Sequence, residues 1–113
     1  MLTMKKWLIP LLVVAVLVAA YFLLKPKFAA YYFNKGNELS DSASFKKAVE
    51  QYDRALWFDD SRPQYFEARG LALDSLGHFD RAISNYDQAL ALDSSNARLH
   101  FYRGMSYFDK EEL

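Results

Sequence analysis

The sequence predicts an all-α protein, in which a hydrophobic N-terminal helix precedes a solenoid of helical hairpins. Three observations predict this: an uncharged apolar run near the N-terminus, a sequence repeat marked by evenly spaced glycines, and apolar residues three and four positions apart within each repeat. Repeats of this kind are typical of proteins whose units bury apolar faces against neighbouring units. With 113 residues, the chain has room for one small domain.

Composition and motifs exclude several classes of function. The 14 basic and 14 acidic residues cancel, so the chain lacks the basic surplus that nucleic-acid binding requires. Without cysteine it has neither a disulfide framework nor a thiolate zinc site. His78 and His100 have no acidic or histidine residue three or four positions further on, and no phosphate loop, GxSxG or HExxH motif occurs. We therefore predict no enzyme activity, no cofactor and no metal site.

The first predicted element is a transmembrane signal-anchor helix over residues 7–24, after a short basic N-terminus of residues 1–6. A helix over this uncharged run is ~27 Å long, close to the ~30 Å hydrocarbon core of a bilayer. Lysines flank the run on both sides, and aromatic residues near its ends suit the membrane interface. Because short basic N-termini usually stay in the cytoplasm, we expect the repeats on the extracytoplasmic side.

Two other interpretations of this segment remain open. A cleaved signal peptide ending at Ala20 would leave a secreted or periplasmic soluble repeat protein. A buried core helix is the third possibility, although a small domain seldom hides a helix that is apolar on every side.

After a linker at 25–28, the repeat divides the chain into a first unit at 29–62, a second at 63–96 and the first helix of a third at 97–113. Without a gap, 11 of 34 positions are identical between the two full units. Gly36, Gly70 and Gly104 occupy the same position in successive units, in the middle of predicted helices. Glycine there costs ~1 kcal/mol relative to alanine, so we predict that it allows paired helices to approach closely. The third unit is a solvating cap or a truncated repeat, and Leu113 stands where Phe45 and Phe79 stand.

Each full unit contains two amphipathic helices. In the second unit, one apolar stripe runs from Tyr65 to Leu76, and Gly77 and His78 interrupt it before a second stripe from Phe79 to Leu90. The segment 93–96 has the composition of a turn. The first unit follows the same plan, and Pro63 suits the first turn of the helix that begins the second unit.

This pattern resembles the tetratricopeptide repeat (TPR) family over residues 29–113. The resemblance rests on the three glycines, on Gly77, and on paired residues of the two units: Tyr32/Phe66, Leu39/Leu73, Phe45/Phe79, Ala48/Ala82, Tyr52/Tyr86 and Ala55/Ala89. The chain departs from the family pattern where Lys35, Arg69 and Arg103 replace the leucine before each glycine. The resemblance implies a solenoid whose concave face binds a partner.

The resemblance also places a partner-binding groove on the first helix of each unit. The expected groove residues are Phe33, Asn37, Asp41, Gln64, Glu67, Leu71, Asp74, Arg98, Phe101, Met105 and Phe108. Some family members hold a peptide's terminal carboxylates in a clamp of basic and amide side chains. Asn37 and Arg98 match two clamp positions, but Phe33, Ala68 and Tyr102 occupy the others. We therefore expect a different peptide, with a few apolar anchors.

The predicted function is a non-catalytic scaffold or adaptor for protein–protein interaction, held at a membrane by 7–24. Two alternatives stay open besides signal cleavage. The chain could be the N-terminal part of a longer TPR protein, because the third unit is incomplete. It could also self-associate through 97–113, whose apolar residues are many for a terminal cap.

Overall fold

The computed structural model describes the backbone of residues 2–112 and the side chains of residues 5–112. The described chain forms five helices: α1 (Leu2–Asp41), α2 (Phe45–Phe58), α3 (Pro63–Ser75), α4 (Phe79–Leu92) and α5 (Ala97–Glu111). Each helix packs against the next in the chain, and α3 also touches α1 and α5. The result is a TPR-like helical solenoid, as the sequence repeat predicts. Met1 and the predicted repeat residue Leu113 lie outside the described residues.

The N-terminal part of α1 projects from the solenoid. Helix α1 is long and apolar enough to cross a membrane by length and composition, and none of its most apolar 18-residue window is buried. The large side chains along the run, including Trp7, Leu17 and Leu23, are exposed. Within the described chain the segment is therefore not a core helix.

The segment 25–28, expected to be a linker, is part of α1. Pro26 lies inside the helix, where its ring removes one backbone hydrogen bond without ending the helix. Packing supports the helical path on its C-terminal side: the ring of Phe58 lies 5.4 Å from that of Phe28 and 5.8 Å from that of Tyr32. The hydrophobic run and the first repeat helix are therefore one continuous element.

The core lies between the two helices of each unit. Small residues alternate with large ones, and the buried set includes Ala48, Tyr52, Ala55, Leu73, Ala82, Tyr86, Ala89 and Leu99. Gly36 faces the ring of Tyr52, and Gly70 faces the ring of Tyr86, which is the equivalent pair of the second unit. The prediction that these two glycines allow close approach is thus confirmed. It is wrong for Gly104, which has nothing within 4 Å of a Cβ position, because no helix packs there in the described chain.

The turns inside the two units are equivalent, although their sequences differ. Gly77 has φ +80°, and Ala43, which holds the same position in the first unit, has φ 61°. In each turn, an amide donates back to the helix it follows: Ser44 to the carbonyl of Leu39, and His78 to that of Leu73. Glycine adopts this left-handed conformation freely, whereas alanine is strained by roughly 1 kcal/mol.

Candidate functional site

The face that the TPR resemblance implies to be concave consists of the first helix of each unit. These helices adjoin in the structure, α1 against α3 and α3 against α5. Asn37, Leu71 and Met105 hold the same position in successive units. The repeat therefore converts one helix face into a row of side chains across three helices.

A cavity of about 230 Å³ lies between α1 and α3. Its lining combines polar groups at one side with apolar groups at its floor: Asn37, Ser40, Asp41, Phe45, Tyr52, Ala68, Leu71, Ala72 and Ser75. A second cavity of about 170 Å³ is lined by Phe33, Gln64, Glu67, Ala68, Leu71 and Arg98. The two share Ala68 and Leu71, so they form one continuous depression, which we call the groove.

The floor of the groove is aromatic. The Phe33 ring is half-buried, with its centroid 4.6 Å from that of Tyr65 and 5.8 Å from that of Tyr52. Leu71 rises from this floor with about a third of its surface exposed. Phe33 is therefore partly a packing residue, whereas Leu71 presents an exposed apolar side chain.

An ion pair closes the side of the groove next to α5. Arg98 donates from Nε to Oε1 of Glu67 at 2.8 Å and from Nη2 to Oε2 at 3.0 Å. Such a two-bonded arrangement fixes both side chains more firmly than a single contact does. Arg98, the clamp-like cation recognised in the sequence, is thus already matched by a carboxylate.

The hydroxyl of Tyr52 reaches the polar side of the groove. It donates to Oδ1 of Asn37 at 2.7 Å and lies 3.1 Å from Oγ of Ser40. The sequence placed Ala68 at a clamp position of the groove, but it did not identify Tyr52, Phe45 or Ala72 as lining residues. A signal for Tyr52 was present, because a buried tyrosine generally needs a polar partner for its hydroxyl.

Asp74 differs from its expected role as a groove residue. Its carboxylate accepts hydrogen bonds from the hydroxyls of Tyr86 and Ser106, the latter at 2.7 and 2.8 Å, and lines neither cavity. The hydroxyls that bind it come from α4 and α5. Asp74 therefore ties three helices together.

The predicted residues of α5 divide into two groups. Arg98 lies in the groove, whereas Phe101, Met105 and Phe108 are exposed on α5 outside both cavities. Their spacing, first by four positions and then by three, places them on one face of the helix. They extend the apolar surface beyond the groove.

The arginines that replace the family's leucine have a structural explanation. Arg69 binds Asp53 at 2.8 Å, and in the next unit Arg103 binds Asp87 at 2.9 Å. Arg69 also donates to Oδ1 of Asn85 at 2.7 Å. These pairs join each first helix to the preceding unit, so the substitution adds contacts between units.

Tyr52 and Tyr86, which pack between helices, should make the fold less stable at alkaline pH. Burial raises the pKa of Tyr86, with Asp74 adding to the effect, and burial also raises the pKa of Tyr52. Because the folded-state pKa exceeds the unfolded value of about 10, this stability is complete below about pH 10 and falls as the pH rises further. We expect the melting temperature of the full chain in detergent to drop between about pH 8 and about pH 11.

Tyr86→Phe should make that drop smaller, and the matched control is the exposed Tyr107→Phe. Circular dichroism at both pH values measures the effect. An equal drop in wild type and Tyr86→Phe would contradict this explanation.

Comparisons with known proteins agree with a TPR-like helical fold. A sequence model described as TPR repeat matches residues 72–110. Among solved structures, the Arabidopsis OM64 TPR domain superposes with a TM-score of 0.74 at 22% identity, over 78% of this chain and 73% of that one. A search of curated proteins found no match.

Two further solved structures contain a chaperone ligand. The first TPR of Spaghetti (RPAP3) bound to the HSP90 peptide SRMEEVD has a TM-score of 0.74 at 24% identity, over 77% of this chain and 69% of that chain. The TPR2AB domain of yeast Sti1 in an HSP90 complex has a TM-score of 0.74 at 20% identity, over 87% and 39%. These comparisons establish the fold and support the TPR repeat family.

Proposed function

We propose that this protein is a non-catalytic scaffold or adaptor that binds a partner peptide in the groove and is held at a membrane by residues 7–24. The observation that carries the proposal is the continuous groove between α1 and α3, with Leu71 exposed at its centre. Structurally similar domains of RPAP3 and Sti1 are complexed with HSP90 or its peptide. That similarity supports a peptide partner for this chain.

The charges of the groove favour a peptide other than an acidic chaperone tail. Among the described groove-lining residues, Arg98 is the single cation, and Glu67 neutralises it. Asp41 adds an exposed negative charge at the other end of the groove. The carboxylates of an acidic peptide would face the carboxylate of Asp41, and no unpaired cation among the described groove residues would offset the repulsion. Like charges placed together disfavour a complex. We propose a ligand with apolar anchors and neutral or basic neighbours.

The test is the affinity of selected peptides for the full chain in detergent. A displayed random library supplies the ligands. Leu71→Arg/Met105→Arg should weaken their binding roughly tenfold or more, because it places one charge in the groove and one on the adjoining apolar face of α5, where apolar anchors would be buried. Leu76→Arg/Leu92→Arg is the matched control: exposures are 36% and 44% for the first pair against 37% and 47% for the second. Neither control residue lines the groove.

Two results would contradict the proposal. Equal loss of binding in both double variants would contradict the groove assignment. Tight binding of the peptide SRMEEVD to wild type would contradict the proposed ligand class, because the groove charges predict that this peptide binds poorly. Fluorescence anisotropy with labelled peptides measures both results.

Membrane attachment is supported by the exposed apolar surface of residues 7–24 and by the continuous connection of this segment to the first unit through α1. The flanking lysines and the short N-terminus favour a cytoplasmic N-terminus and extracytoplasmic repeats. Mass spectrometry of the mature N-terminus distinguishes anchoring from signal cleavage. A mature chain that begins at Tyr21 would support the secreted or periplasmic alternative instead.

Self-association through α5 is a second candidate interaction. The exposed row of Phe101, Met105 and Phe108 favours it. A full chain that stays monomeric in detergent at high concentration would argue against it.

A further inference from the structure

We propose that the first repeat unit rests on the lipid surface beside the membrane helix, with Trp57 placed among the lipid headgroups. The inference depends on the proposed membrane anchor and goes beyond it. The continuous α1 sets the distance of the repeats from the membrane but leaves the tilt of that helix open, whereas this contact fixes how the groove faces the membrane.

Trp57 is unusual among the large side chains of the repeats. Its side chain is 72% exposed, and its ring packs at right angles on Phe58 with the centroids 5.0 Å apart. The equivalent residue of the second unit is Ala91, and the equivalent of Phe58 is Leu92. The TPR-like packing therefore works with an alanine at this position, and the first unit carries a tryptophan that its own fold does not bury.

Two further exposed aromatic residues lie on the part of α1 that packs near Trp57. Phe28 and Tyr31 are both exposed, and the Phe58 ring beside Trp57 also contacts Phe28. Thirty-four positions further on, Arg62 stands in place of Phe28, and the equivalent of Tyr31 is Tyr65, which is buried. Only the unit that adjoins the apolar run carries this aromatic group, and two lysines precede it. Tryptophan, tyrosine and lysine are the residues that collect at the membrane–water interface.

The continuous α1 fixes the height of this group relative to the apolar run. Phe28 and Tyr32, which both contact Phe58, lie four and eight positions beyond Leu24, or about 6 and 12 Å along the helix. The headgroup layer is roughly 5–8 Å thick on each side. A tilt of about 20°, average for membrane helices, lowers a neighbouring helix about 8–10 Å away by roughly 3 Å when it is directed towards that helix. Tilted towards α2, the chain places Trp57 at the headgroup layer.

The loop between α2 and α3 is at the same level. Phe22 of the apolar run and Lys25 line one cavity together with Phe58, Asp59 and Ser61. Asp59 accepts hydrogen bonds from Ser61 and Arg62, and these bonds keep its pKa below the usual range although burial opposes them. The carboxylate of Asp59 is thus hydrogen-bonded within the loop, which suits a polar segment that lies between lipid headgroups.

The chain has two tryptophans, which makes a direct test possible. Trp7→Phe leaves Trp57 as the single reporter, and Trp57→Phe leaves Trp7 as the reporter of the anchor. The full chain is reconstituted in vesicles whose lipids carry bromine near the headgroup end of the acyl chain. We expect Trp57 to lose fluorescence intensity and to emit at shorter wavelength than it does in the unfolded chain.

A third variant provides the matched control. Leu76→Trp in the Trp7→Phe/Trp57→Phe background places a half-exposed tryptophan at the far end of α3, ~20 Å further from the loop at 59–62. This reporter should keep its intensity. Quenching of Trp57 without quenching at residue 76 supports the proposal.

The three tryptophan reporters distinguish the membrane anchor from the lipid contact of Trp57. If Trp7 is quenched while Trp57 behaves like the reporter at residue 76, the anchor stands and the lipid contact is overturned. If neither Trp7 nor Trp57 is quenched, the anchor and the lipid contact both fail.

Discussion

Replacing Gly70 with leucine is expected to destabilise the solenoid by about 3 kcal/mol or more, although leucine is the better helix former. A Cβ atom at residue 70 would lie 2.7 Å from Cε1 of Tyr86 and 3.1 Å from its Cδ1. The ring has little freedom to move, because Tyr86 is completely buried and its hydroxyl is bound to Asp74. The remaining leucine atoms must then displace α3 from α4.

The matched control is Gly104→Ala in the same repeat position of α5. Nothing lies within 4 Å of a Cβ there. The higher helix propensity of alanine should therefore raise the free energy of unfolding by up to ~1 kcal/mol. Thermal unfolding of the full chain in detergent, followed by circular dichroism, compares the variants. A melting temperature for Gly70→Leu at or above that of wild type would refute the account of close packing.

The three glycines show how far a sequence can predict this fold. The period and the apolar stripes were sufficient to predict the five helical segments and the close approach at Gly36 and Gly70. They assigned Gly104 the same role, because the spacing of residues carries no information on whether a partner helix is present. Local sequence could not predict that residues 25–28 are helical, because proline is normally disfavoured inside a helix. The contact of Phe58 with Phe28, which supports the helix there, is tertiary.

The sequence could suggest a groove at the level of helix faces but not of individual side chains. The resemblance to TPR repeats places Asn37 and Leu71 on the concave face, and in the structure both line one cavity. It could not determine that Glu67 matches Arg98, because these residues come from different units and meet only through their side-chain conformations. The chemical character of the site depends on that pair, which removes the free cation that an acidic peptide would need.

Asp74→Ala is expected to lower the free energy of unfolding by about 2 kcal/mol, because the buried hydroxyl of Tyr86 loses its acceptor. Ser106 contributes less, since its hydroxyl also donates to the carbonyl of Tyr102 at 3.1 Å. The link between α3 and α5 is nevertheless lost. Asp41→Ala is the matched control on the concave face, because Asp41 is exposed and should change stability by less than about 0.5 kcal/mol.

A double-mutant cycle separates this structural role of Asp74 from a role in binding. If the hydrogen bond to Tyr86 is the cause, Asp74→Ala should cost less in a Tyr86→Phe background than in wild type. Thermal unfolding measures this coupling, and peptide affinity is measured on the same four proteins below the melting temperature of each. A loss of affinity with unchanged stability in Asp74→Ala would assign the carboxylate to the ligand. The opposite result, a loss of stability coupled to Tyr86 with affinity unchanged, would assign Asp74 to packing and leave Leu71 and Asn37 to the binding surface.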